Sequence, residues 1–296
     1  MISYLAALGA SLAWAFSAIT SATPSSALGS IAFVRIRMTM VFFMLAAVIL
    51  ITGGWRTVTL SHITPTIISG LVGILLGDAA LFAAMNRVGP RRAGILFSSN
   101  AVFSVILGWM FLSEKLNAMT LTGIAIALSG VALAILFGKR GNDVHEWEAV
   151  KGPLATGIAI GLFAGICQAI GSLVARPVME TGVDPVSIAA IRVGIAALGL
   201  TLAMFAGVNV ARAKTALTPK LIGQIALSGF AAMGIGMTLL LFALRGGEVG
   251  IVATLSATSP ALVLPLLWWK TGDRPPAMAW LGAGLVVAGS GLIFVA

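Results

Sequence analysis

Long apolar runs follow one another from end to end of this chain, separated only by short polar breaks. A run of about 20 apolar residues makes a helix as long as a bilayer's hydrocarbon core is thick, whereas core helices of soluble proteins alternate apolar with polar faces. Apolar runs are predicted at residues 3–21, 29–51, 65–86, 92–112, 118–138, 152–175, 185–207, 219–243, 248–269 and 276–295. With 59% hydrophobic and 9% charged residues, the chain has too little polar surface to cover a soluble domain. The expected class is an all-α integral membrane protein of ten transmembrane helices. The first run, Tyr4 to Ser21, has no basic residue before it and is read as a retained span rather than a leader.

A net charge of +9 would point to nucleic acid in a soluble protein. Here the Lys and Arg lie mostly in short loops beside apolar spans, as membrane insertion and anionic headgroups favour. Eleven fall on the side of the odd-numbered loops and four on the side of both termini, so the charge rule places the termini outside. The lone Cys167 lies within a span and forms no internal disulfide.

The breaks carry turn chemistry: Thr23-Pro24-Ser25-Ser26, Gly53-Gly54, Gly89-Pro90, Gly272-Asp273 and Pro275-Pro276. The longest connection, residues 139–151, separates a first five-helix unit, 1–138, from a second, 152–296. The units read as duplicates. Ser30 to Arg35 (SIAFVR) answers Ser187 to Arg192 (SIAAIR) at a displacement of 157. A displacement of 159 pairs Ser69-Gly70 with Ser228-Gly229, Gly77 with Gly236, Trp109 with Trp268, Gly123 with Gly282 and Gly130 with Gly289. An odd number of spans per unit inverts the second relative to the first. Inverted repeats suit alternating-access carriers, with a site near the midplane between the halves.

At these residues the chain resembles the drug/metabolite transporter superfamily, in particular its ten-helix EamA-type carriers. The twice-repeated five-helix unit carries the resemblance, together with Arg35 and Arg192 of the second and seventh spans. So do Glu114 followed by Gly123 and Gly130, and Asp273 followed by Gly282 and Gly289. Members often carry Pro at the centre of the fourth and ninth spans; Pro260 fits as a hinge, and Ala101 stands where its partner would be. The resemblance implies a secondary transporter exporting amino acids or other small metabolites. It also implies cytoplasmic termini, against the charge rule.

Candidate site residues are the polar and aromatic groups at depth. Asp78 is the carboxylate that no small helix shift brings to an interface, so it reads either as a substrate-amine or proton site or as the partner of an intramembrane Arg. Arg35, Arg37 and Arg192 stand two turns or less inside their spans, where a long stem reaches the interface by snorkelling or tethers helices; the alternative for all three is recognition of a substrate carboxylate, with Arg35 and Arg192 as candidate charge partners of the site. Phe97 and Asn100, three apart on one helix face, answer Ser256 and Ser259, and these four are expected to line a cavity with Trp14 and Gln168 at its sides.

Other functions lack their residues. Acid-pair chemistry needs a second carboxylate at depth, and the histidines, His62 and His145, read as loop residues without triad or ligand spacing. A nucleotide-binding loop and a repeated selectivity element are both missing from the sequence. No catalytic residue, metal or cofactor is expected. The expected partners are a small-molecule solute and the lipid bilayer, with no nucleic acid. The chain is read as a multi-pass monomer of the plasma membrane, the inner membrane if the cell is bacterial. Other solute classes (drugs, sugars, nucleotide-like molecules) stay open beside amino acids and related zwitterions.

Overall fold

The computed structural model describes residues 2–112, 117–136, 150–272 and 274–295. Glu114, Lys115, Lys139, Arg140, His145 and Asp273 lie outside the described residues. All regular structure among the described residues is helical. In chain order it comprises α1 (Ile2–Leu28), α2 (Ser30–Thr52), α3 (Leu60–Pro90) and α4 (Arg92–Leu112). Next come α5 (Ala118–Leu136), then α6 (Leu154–Glu180), α7 (Pro185–Phe205), α8 (Pro219–Leu244) and α9 (Val249–Lys270). The series ends at α10 (Ala277–Val295). Eight of these, α1 to α4 and α6 to α9, are long and apolar enough to cross a membrane. The protein is therefore an integral membrane protein.

Glycines fix the ends of several spans. Gly29 takes φ +85° between α1 and α2, and Gly89 takes φ +84° at the kink where α3 gives way to α4. The Thr23–Ser26 turn signal is overruled, since α1 runs through Pro24 as far as Leu28. In a membrane helix the backbone has no water to turn towards, so a proline is absorbed where neighbouring groups satisfy the local carbonyls. Beyond the proline, in the last turn of α1, Asn86 Nδ2 donates to the Ser25 carbonyl at 3.1 Å and Ser25 Oγ donates to Asn86 Oδ1 at 3.1 Å, tying this end of the helix to α3.

Two departures from regular helix recur in both halves. Gly70–Leu76 of α3 and Phe230–Gly236 of α8 are π-helical. Each segment closes on an i→i−5 bond, Gly77 N–H to the Val72 carbonyl and Met237 N–H to the Ala232 carbonyl. Likewise α4 turns at Ser98–Ser99 and α9 at Ala257–Thr258, 159 residues apart, although only α9 has a proline, Pro260, in its new first turn. The two turns meet, with Ser98 Oγ donating to the Ala257 carbonyl at 3.0 Å.

The structure also corrects the register of the duplication. The seven buried residues of α2 are Ala32, Phe33, Val34, Arg37, Met38, Val41 and Leu45. Moved by 155, each falls on a buried residue of α7, from Ser187 through Arg192 to Leu200. The displacement of 157 from the SIAFVR match is two residues off, which on a helix is a rotation of about 200°. Arg37, not Arg35, therefore corresponds to Arg192. Packing agrees: a Cβ on Gly70 would lie 2.9 Å from the Arg192 carbonyl oxygen, and one on Gly229 would lie 2.9 Å from Arg37 Cγ.

At the other end of each half, α5 and α10 pack with backbones almost touching. A Cβ on Gly130 would sit 2.6 Å from the Gly282 oxygen, and one on Gly289 would sit 2.5 Å from the Gly123 oxygen. The four glycines paired in sequence thus meet reciprocally, in the small-residue contact that lets membrane helices approach.

Candidate functional site

A cavity of about 710 Å³, counted with its mouth, lies between the two halves. Its inner wall is Trp14 of α1, Arg37 of α2, Asp78 of α3, Gln168 of α6 and Met237 of α8. From there it runs along α3, α4 and α9, past Phe97 and Ser259, to Pro90 and Val263 at the α3–α4 end. At the opposite ends of these helices the two halves are bonded to each other. Thr181 Oγ1 meets His62 Nε2 at 3.1 Å, and Asp184 N–H donates to Thr57 Oγ1 at 2.9 Å. His62 thus lies in the first turn of α3, not in a loop. Its Nδ1 accepts from the Thr59 N–H at 3.2 Å.

Five candidates from the sequence come together in this lining: Trp14, Asp78, Phe97, Gln168 and Ser259. Trp14 is held by a bond from Nε1 to the Ala232 carbonyl in the π segment of α8, 3.1 Å, and its ring meets that of Phe97 edge-on at 6.4 Å. Asn100 and Ser256 stand apart from the lining, each 2% exposed. Asn100 Nδ2 donates to the Phe97 carbonyl at 2.7 Å, and Ser256 Oγ donates to the Ala253 carbonyl at 2.9 Å. The i, i+3 face that joined Phe97 to Asn100 presumes an unbroken helix, and the turn at Ser98–Ser99 separates them. Asn100 thus satisfies a carbonyl beside the break, while Ser256 bonds back to a carbonyl that also accepts the Ala257 N–H at 2.8 Å.

The charged groups are arranged otherwise than snorkelling implies. Arg37 is 1% exposed and forms a buried ion pair from Nη2 to Asp78 Oδ2. Its guanidinium lies 4.5 Å from the centroid of the Phe82 ring and 5.4 Å from that of Phe33. Arg192 is fully buried; its Nη1 donates to Met237 Sδ at 3.1 Å, while its Nε and Nη2 have no partner. Asp78 lies within electrostatic reach of both arginines. Arg35 turns away, donating from Nε to the Ala211 carbonyl at 3.0 Å, and is not a charge partner of the site. Arg37 and Asp78 in the wall and Arg192 behind Met237 thus amount to two guanidinium groups and one carboxylate, a net charge of +1 when all are ionised. Two neighbouring residues, Arg35 and Arg37, looked alike in sequence; buried neighbours rather than depth distinguish them.

The π segments explain how Asp78 reaches this wall. A π turn widens the helix and shifts the phase of the residues after it, and such turns gather at functional sites. Asp78 and Met237, 159 apart, both lie just beyond one. Among the described residues no cluster of three His, Cys, Asp or Glu is placed to hold a metal ion.

The comparisons with known proteins agree with this architecture. A "Probable terminal-alkyne amino-acid exporter" of Streptantibioticus cattleyicolor is 26% identical over 211 residues, 70% of this chain. An "Uncharacterized transporter" of Clostridium kluyveri is 23% identical over 149 residues, 48% of this chain. An "Uncharacterized transporter YetK" of Bacillus subtilis is 28% identical over 107 residues, 34% of this chain. The matched stretches span 65%, 46% and 32% of those three proteins' own lengths. A solved crystal structure shares the fold with a TM-score of 0.74 at 17% identity, over 99% of this chain and 96% of its own. The profile of the EamA-like transporter family matches residues 1–136 and again residues 155–295. The chain belongs to the EamA-like transporter family.

Proposed function

We propose that this protein is a secondary transporter that exports small metabolites, amino acids or related zwitterions among them, across the plasma membrane by alternating access. In this reading α5 and α10 also span the bilayer, giving ten spans as two inverted five-helix repeats, and the chain works as a monomer without a cofactor. The observation that carries the reading is the cavity. Both halves line it, it reaches the residues beside the α3–α4 junction, and on the opposite side the halves are bonded to one another. Broken helices at equivalent positions of the two halves, Ser98–Ser99 and Ala257–Thr258, are the geometry from which carriers of inverted-repeat type build a midplane site. An enzymatic reading has little to work with: Asp78 is the sole carboxylate among the lining residues, and acid-pair chemistry needs two. The amino-acid exporter among the relatives supports the solute class.

Counterflow in proteoliposomes tests the reading. Purified protein loaded with an unlabelled amino-acid mixture should accumulate labelled amino acid transiently above equilibrium, and Ser259→Trp, which fills the cavity, should stop it. Equal uptake by protein-free vesicles would refute transport.

A further inference from the structure

The two halves correspond in backbone but not in charge at one point. Arg37 in the first half answers Arg192 in the second, 155 residues on, by burial pattern and by packing against Gly229 and Gly70. Each arginine points at a residue just beyond a π segment. For Arg37 that residue is Asp78. For Arg192 it is Met237, whose thioether sulfur accepts one N–H at 3.1 Å and carries no charge. The second half thus repeats the arginine and lacks its acid. Arg192 keeps Nε and Nη2 without a partner, and Arg37 keeps Nε without one. Asp78, within reach of both, cannot neutralise two cations.

Burying a guanidinium with neither counter-charge nor full hydrogen bonding is costly, and that cost persists only where something relieves it. Both Arg37 and Met237 line the cavity, so a solute there sits beside the uncompensated charge. We infer that the cavity binds solutes through a carboxylate, which supplies the second negative charge of a site built from Arg37, Asp78, Arg192 and Met237. The carboxylate binds at Arg37, where Asp78 is free to lean towards Arg192, so that two guanidinium groups face two carboxylates. The unbranched Met237 side chain yields as this happens. The solute's remainder lies towards Trp14, Phe97 and Gln168. The acid is the required group on the solute and the ammonium is dispensable. This inference rests on the transporter reading of the cavity.

The test uses purified full-length protein and three probes: alanine, N-acetylalanine, which keeps the carboxylate without the ammonium, and alaninamide, which keeps the ammonium without the carboxylate. Half-saturation is read from the rise in melting temperature with probe concentration. Alanine and N-acetylalanine should half-saturate within about tenfold of each other, and alaninamide should need at least about tenfold more. Met237→Asp, which builds the missing acid into the chain, should weaken N-acetylalanine by about tenfold or more, and by at least about threefold more than Met237→Asn, which has the same shape without the charge. Alaninamide binding as well as alanine, no binding by any of the three, or a folded Met237→Asp protein that binds N-acetylalanine as the parent does would each overturn the inference. If Met237→Asp does not fold, the three probes on the parent protein decide alone. Amino-acid counterflow without discrimination between the probes would defeat this inference and leave the transporter reading standing; discrimination without counterflow would do the reverse.

Discussion

Replacing Asp78 by Ala removes the acid from a pair in which both side chains are almost wholly enclosed. Breaking a buried pair from one side costs about 3–5 kcal/mol, because the other charge stays behind uncompensated. Here the local charge would rise from +1 to +2, since Arg192 loses the same counter-charge as Arg37. The Phe33 and Phe82 rings face Arg37 before and after the change, so they do not offset this cost. The expected loss is therefore about 3–5 kcal/mol. Adding Arg37→Met, an apolar side chain of similar length, should recover at least half of it, because the orphaned cation is gone. Unfolding of the purified protein by a denaturing detergent in mixed micelles, followed by tryptophan fluorescence, gives the three free energies. A double variant as unstable as the sum of its two single variants would refute the pairing, for residues in one ion pair must be coupled.

Cysteines at Phe97 and Ser259 should react with a membrane-impermeant thiol reagent in a Cys167→Ala background, and those at Asn100 and Ser256 should not; the reverse pattern would move the cavity off this face. Asn100→Ala should cost about 1 kcal/mol of stability through the lost bond to the Phe97 carbonyl, with the ranking of transported solutes unchanged; a changed ranking in counterflow would return Asn100 to the site. Gly130→Val forces atoms against the Gly282 carbonyl and should destabilise by about 1–3 kcal/mol without altering probe affinities, measured by the same melting titration. A reporter active only in the cytoplasm, fused to the C-terminus, should stay silent if the charge rule governs this chain.

Most spans and turns were legible because each rests on a local requirement: about 20 apolar residues to cross, and a glycine with positive φ at Gly53, Gly89 and Gly272 to reverse direction; the turn at Gly29 was missed in favour of Thr23–Ser26. The pairing of Gly123 and Gly130 with Gly282 and Gly289 was legible too, since close backbone contact tolerates nothing larger. The π segments were not. A span that is apolar all round gives no hydrophobic phase, so one extra residue in a turn leaves no mark on the pattern. The same lack of phase let SIAFVR and SIAAIR align two residues out of register, which moved the pairing from Arg37 to Arg35. Proline was a sufficient sign of a break in α9 but not a necessary one. In α4 the turn at Ser98–Ser99 is held by side chains instead, Ser98 reaching the Gly94 carbonyl at 3.1 Å and Ser99 the Leu96 carbonyl at 2.6 Å.

The structure divides its labour between what repeats and what does not. The π segments, the broken helices, the glycine contacts and the two buried arginines recur in both halves, and all of them are features of backbone path or of helix packing. Around the cavity, equivalent positions carry different residues: Asp78 against Met237, Phe97 against Ser256, Asn100 against Ser259. Gly77 packs on Cys167 where its counterpart Gly236 packs on Trp14, so that pair differs as well. In the inverted-repeat carrier proposed above, the two kinds of feature have different tasks. Equal mechanics in the two halves let inward- and outward-facing states lie close in energy, as reversible access requires. A solute with two unlike ends, however, lies in one orientation and meets unlike groups on its two sides. A perfectly symmetric wall of Arg37–Asp78 and Arg192 with a second acid would be neutral and satisfied, with nothing left for a solute to complete. The substitution of methionine for that acid leaves the protein folded around one charge too many, and it places this imbalance at the cavity wall.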